Sequence, residues 1–188
     1  MTTTYAALLR GIEVSGHRRV PMAELRVLLS ELGHRDVRTY LQSGNAVFTT
    51  DASDASDEDA LAAALEQAIE ARFGFAVDCL VRSGAYLKAV ADACPFPAAE
   101  PAGKQLHVTY FSQPLTPDRF ASVDPAAYLP EEFRLGDRAL YLYTPDGLGR
   151  SKLAEVLARP ALLKGITGTT RNWNTVVKLV EMTHQGTP

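Results

Sequence analysis

The stretch "VRTYLQSGNAVFTT", residues 37–50, sets two short β-branched and aromatic runs on either side of Ser43, Gly44 and Asn45. Those three residue types tolerate the positive φ of a tight connection, so the spacing predicts a β-hairpin of "VRTYLQ" and "AVFTT". Immediately upstream, "VPMAELRVLLSELG" repeats Met22, Leu25, Leu28, Leu29 and Leu32 at helical spacing, with Pro21 in the first turn and Gly33 as the stop. Before that helix lie a strand, "TYAALLR", and a loop, "GIEVSGHRRV", punctuated by Gly11 and Gly16. Downstream of the hairpin an acidic, solvated entry from Asp51 to Asp59 leads into "EDALAAALEQAIEARFG", where Leu61, Leu65, Ile69 and Phe73 recur at every fourth position before Gly74. "FAVDCLVRS" then reads as a strand. Residues 4–82 therefore spell strand, helix, strand, strand, helix, strand, the order of a ferredoxin-like plait.

A short helix over 84–92 leads to "CPFPAAEPAG", whose prolines and glycine mark a connection. The order then starts again, with "QLHVTYFS" as a strand and "TPDRFASV" as a helix on a Thr cap. "EEFRLGDRALYLYT" follows as a hairpin turning at Gly136 and Asp137, and "GRSKLAEVLAR" as a helix. Where a fourth strand belongs there is "PALLKGITGT", followed by an amphipathic helix whose start lies in "TTRNWNTVVKL", residues 169–179. The expected class is α/β (α+β), two ferredoxin-like halves at 1–82 and 105–188 joined through 83–104, the second a variant that ends in a helix.

The chain of 188 residues is 46% hydrophobic and 22% charged, which places it among folded globular proteins. It contains no run of 18 apolar residues, and its first residues lack the basic start and long apolar stretch of a secretory signal, so a cytoplasmic location is expected. Cys79 and Cys94 form no CxxC pair. Cys79 alternates with Val77 and Val81 as a core position, and a disulfide framework is not expected. The net charge of −3 argues against bulk electrostatic coating of nucleic acid, yet it is unevenly spread. Residues 1–50 carry +2, 51–144 carry −8 and 145–188 carry +3. Two basic chain ends on an acidic body are either one positive surface or two unrelated solvated faces.

Within the second basic end, Thr169 or Thr170 is expected to cap the helix, and Trp173, Val176, Val177 and Val180 supply an apolar stripe with Trp173 in the core. Arg171, Asn172 and Asn174 are left over from those two roles. An arginine at a helix start opposes the macrodipole unless an anion or a carboxylate of the protein sits beside it. "GLGRSKL" offers the same chemistry, with Gly147 and Gly149 for close backbone approach, Ser151 as cap or oxyanion contact, and Arg150 with Lys152 for charge. In the first half, Arg10 closes an apolar run and calls for a partner, either Glu13 or a ligand. Ser43 and Asn45 are turn residues that can also reach a ligand.

The ordered set "ALLRGIEVSG", "VPMAEL", "YLQSGNAVF", "EEFRLG", "GLGRSKL" and "RNWNTVVKL" resembles the uncharacterised bacterial DUF1697 family, a domain of unknown function. The similarity spans nearly the whole chain. It implies an α/β architecture of two plait-like halves and no established activity. The family pattern usually carries Asn at the position of Glu13 and Gly at that of Ser15, which argues against Glu13 as a catalytic base, since an amide does not accept and hold a proton.

Several chemistries lack their spacing altogether. His17, His34, His107 and His184 show no HxxxH or Cys/His pattern, so no metal site is expected, and GxSxG, GxGxxG and GxxxxGK[ST] are absent, so no cofactor is implied. The expected function is recognition of an anionic small molecule, a nucleotide or phosphorylated metabolite, in a cleft between the halves. Its lining is Arg10, Ser43, Asn45, Arg150, Lys152, Arg171, Asn172 and Asn174. One alternative is a nucleic-acid module that adds Tyr141 and Tyr143 as an aromatic sheet face, although the RNP1 pattern is missing. Another is an enzyme of unknown reaction with Glu13 and His17 as its proton carriers. No membrane partner is expected.

Overall fold

A computed structural model describes residues 2–12, 16–41, 44–51, 57–97 and 103–184. The chain divides into two compact units, Met1–Lys88 with Leu179–Pro188, and Ala89–Lys178.

In the first unit β1 (Thr2–Leu9), α1 (Met22–Glu31), β2 (Arg35–Tyr40), β3 (Asn45–Asp51), α2 (Glu58–Phe73) and β4 (Cys79–Ser83) follow in that order. The strands form one antiparallel sheet, β2-β3-β1-β4. Tyr5, Ala7 and Leu9 of β1 point with Ala46, Phe48, Cys79 and Val81 toward α1 and α2, whose Leu25, Leu29, Leu65 and Ile69 complete the core. Ala6, Leu8, Asn45, Val47, Leu80 and Arg82 alternate with them and are buried as well, so β1 reads as a continuous apolar run. Both helices end as their glycines require, since Gly33 and Gly74 sit at φ of 93° and 80°. Asp57 caps α2, accepting from the Ala60 amide at 3.1 Å.

The second unit repeats the order. Its strands are β5 (Leu106–Phe111), β6 (Glu132–Gly136), β7 (Ala139–Tyr143) and β8 (Gly168–Asn172), arranged β6-β7-β5-β8. Phe111, Leu140 and Leu142 pack on Phe120, Val123 and on Leu153 and Leu157 of α4 (Lys152–Leu157).

Four expectations from the sequence are corrected here. The fourth strand exists: "GTTRN" pairs with β5 in the register Val108↔Arg171, Thr109↔Thr170, Tyr110↔Thr169. Threonine suits a pleated edge, and the Thr109 and Thr170 hydroxyls lie 2.7 Å apart across it. The "TPDRFASV" helix is instead a 3-10 turn over Pro117–Phe120, with a second over Pro125–Tyr128, because Pro125 cannot donate to a continuing helix. The second hairpin turns on Asp137 and Arg138, with Arg138 at a φ of 50°, while Gly136 closes β6 opposite Ala139. The helix expected over "GRSKLAEVLAR" is reduced to α4, preceded by a 3-10 turn over Leu148–Arg150.

Each fourth strand runs into a further helix, β4 into α3 (Gly84–Asp92) and β8 into α5 (Trp173–His184). The division between units falls inside both helices, after Lys88 and after Lys178. The last turns of α5 thus belong to the first unit, where Arg38 donates to the Met182 carbonyl at 2.8 Å. There a Cβ on Gly84 would lie 2.9 Å from that of Thr183.

Candidate functional site

Arg171 is a strand residue, not the first residue of a helix. Its side chain is buried, and its Nη1 donates to Thr169 Oγ1 at 2.7 Å and to the Thr170 carbonyl at 3.0 Å. Burial pulls its pKa down to about 10, partly offset by Tyr110. The helix is capped one residue on, by Asn172 Oδ1 accepting from the Thr175 amide at 3.0 Å, and not by Thr169 or Thr170. The Trp173 amide donates to the Gly103 carbonyl at 3.3 Å, and a Cβ on Gly103 would collide with the Asn174 side chain. Trp173 is buried, as are Val176 and Leu179, whereas Val177 is exposed.

The first unit carries the same device at a residue not singled out in the sequence. Arg82, at the matching place in β4, is buried and donates Nη1 to the Val81 carbonyl at 2.8 Å. Ser83 then caps α3, accepting from the Tyr86 amide at 3.1 Å. Strand, arginine, polar cap and helix occur in this order twice. The only sign of it in the sequence is the pair "VRS" and "TRN" at the ends of equivalent strands.

Asn45 belongs to β3 rather than to the turn. Fully buried, it donates Nδ2 to the Tyr40 carbonyl at 3.0 Å and closes the hairpin. The turn glycine is Gly44, where a φ of 90° coincides with Leu9 Cβ and Ile12 at 2.9 and 3.0 Å from any added Cβ. Arg10 is exposed, with Asp78 as its ion-pair partner at 3.8 Å. Ser43, Glu13 and Ser15 lie outside the described residues. His17 is exposed.

The side chains of Arg150 and Lys152 are both exposed and, among the described residues, make no hydrogen bond or ion pair. Between them Ser151 is spent on the cap of α4, its Oγ accepting from the Ala154 amide at 2.9 Å. Gly147 (φ 90°) and Gly149 have no atom within 4 Å of where a Cβ would stand, so this stretch of backbone is open. Arg10 and Asn45 belong to the first unit, and Arg150, Lys152, Arg171, Asn172 and Asn174 to the second.

Elsewhere in the second unit, a cavity of about 460 Å³ is bounded by the end of α3, by Pro95 and by the β6–β7 hairpin. Nothing in the spacing of residues 89–95 or 134–141 announces it, because its walls meet only in the fold. The free thiols of Cys79 and Cys94 are both shifted upward in pKa by burial. Among the described residues no cluster of three or more His, Cys, Asp or Glu is placed to hold a metal ion.

The fold and site thus define a mixed α+β protein of two units, each built on a four-stranded antiparallel sheet, with exposed cations in the second. The chain belongs to the family described as "Protein of unknown function (DUF1697)", whose model matches residues 1–141. Among solved structures it is similar to the conserved bacterial protein SP0830 from Streptococcus pneumoniae, with 26% identity and a TM-score of 0.74. That match covers 98% of this chain and 100% of the other. No curated protein matches the sequence.

Proposed function

We propose that the protein binds an anionic small molecule, of the nucleotide or phosphorylated-metabolite class, through Arg150 and Lys152. The observation that carries this is their state: two cations two residues apart, exposed, with no protein partner among the described residues. They flank a backbone that Gly147 and Gly149 leave open. Asn45, Arg171 and Asn172 are engaged with the protein's own backbone, so in this reading they hold the framework while Arg150 and Lys152 meet the ligand. Asn174, exposed in the same unit, is a candidate for a further polar contact.

The repeated strand order supports reading each unit as a ferredoxin-like plait, a scaffold that presents loops beyond its strand ends. No helix among the described residues is long and apolar enough to cross a membrane, in keeping with a cytoplasmic binding protein. Nucleic acid is the weaker reading, since Tyr141 is buried and does not form part of an open sheet face along which successive bases could stack.

The test is thermal denaturation of the protein and of an Arg150→Ala, Lys152→Ala double variant, with AMP, pyrophosphate or inorganic phosphate. Both side chains are exposed, so the unliganded variant is expected to unfold at the native temperature. A ligand at a hundred times its Kd stabilises by about 2.7 kcal/mol, and the double variant is expected to lose that gain. No stabilisation by any of the three anions, or an equal gain in the variant, overturns the proposal.

A further inference from the structure

The cavity at the end of α3 stands apart from Arg150 and Lys152 in its chemistry. Ala89 and Ala93, one helical turn apart, leave a gap on the helix face, and Leu135 and the ring of Tyr141 line it too. Two features fix that ring. Its hydroxyl donates to the Val90 carbonyl at 2.5 Å, an acceptor in the last turn of α3. On the other side a Cβ at Gly136 would stand 2.8 Å from the ring, so glycine is what lets the aromatic lie flat on the hairpin. With the hydroxyl committed, what the ring offers the cavity is apolar.

Polar groups sit among the lining as Arg134 and Asp137. The Arg134 guanidinium donates Nη1 to the Phe133 carbonyl at 2.8 Å and Nη2 to Glu132 at 3.1 Å, and it lies 5.7 Å from the Phe96 ring. Five N–H groups less those two leaves three donors on a half-exposed cation. Glu132, paired with it, already offsets part of that cation and opposes a second negative charge on any guest, whereas Asp137 is paired with Arg138 at 3.7 Å.

We propose that this cavity binds an aromatic carboxylate: a planar apolar body between α3 and the Tyr141 ring, and one carboxylate on the free edge of Arg134. A volume of about 460 Å³ suits a ligand of that size. With Arg134 already offset by Glu132, a monoanion is favoured over a phosphate dianion. The assignment is independent of Arg150 and Lys152.

Isothermal titration of the native chain with 1-naphthoate, and with neutral 1-naphthalenemethanol, tests it. Both are expected to bind at one site per chain, and 10 mM inorganic phosphate is expected to leave the naphthoate isotherm unshifted. Ala93 is exposed, so Ala93→Trp plugs the cavity from outside and is expected to abolish binding of both probes. Arg134→Gln is expected to weaken naphthoate about tenfold, the loss of one charge-assisted hydrogen bond, and to leave the alcohol unchanged. The proposal is overturned if naphthoate fails to saturate below about 1 mM, a weak-binding limit, or binds A93W undiminished. It is equally overturned if naphthoate and the alcohol weaken alike in R134Q, or if phosphate competes.

Discussion

His107 illustrates how a single buried side chain ties stability to pH. It lies in β5 at 7% exposure, its Nδ1 without a hydrogen-bond partner among the described residues, and burial lowers its pKa. His34, tilted against the Phe48 ring with centroids 4.3 Å apart, is shifted the same way for the same reason. A lowered folded pKa means that, as pH falls below the ordinary histidine value, the unfolded chain takes up the proton first and stability drops. Above that value both states are neutral and the effect vanishes. Urea denaturation is therefore expected to show a midpoint that falls between pH 7.5 and 5.5. His107→Leu is expected to remove its share of the slope, and an unchanged slope would contradict the assignment.

At the scale of the element, the repeated run of strand, arginine and capped helix makes a matched pair of tests. Asn172→Ala and Ser83→Ala each delete one side-chain acceptor at a helix start and are expected to cost about 1 kcal/mol, while Asn172→Asp retains the cap. Urea midpoints read the difference. An N172A chain as stable as the native one would move the helix start back toward Thr169. The same elements show what a sequence carries and what it hides. α1, α2 and the first hairpin are legible because their apolar faces have a period and their ends have glycine or proline. β8 is hidden because an edge strand of Gly, Thr, Thr, Arg and Asn has no apolar run, and its hydroxyls imitate a helix cap. Gly136 is visible as a glycine, but its use against Tyr141 depends on a ring five residues away in the partner strand. For the same reason Arg150 and Lys152 could be read as exposed cations from local sequence, whereas the α3 cavity could not: Ala93 and Arg134 become neighbours only through the fold.

At the scale of the whole molecule, each unit owes part of its material to a helix that the other shares. Leu179, Met182 and Thr183 are buried residues of the first unit contributed by the end of α5. Ending the chain after Lys178 is expected to cost at least about 4 kcal/mol, comparable with deleting two large apolar side chains and close to the total stability of many domains. Cys79, in the core of the first unit, reports the damage. In a Cys94→Ser background its thiol is expected to resist labelling in the full chain and to react within minutes in the shortened one. Equal protection in both would show that α5 is dispensable to that core.

This sharing of α5 also bears on how the protein is made. A ribosome releases residues 1–88 long before Leu179 leaves the peptidyl-transferase centre, so the amino-terminal sheet waits, without its last helical turns, through the synthesis of everything between. On that expectation the first unit is sealed only after the second has emerged. Its nascent form must either tolerate a four-stranded sheet without those helical turns or keep it shielded until translation ends.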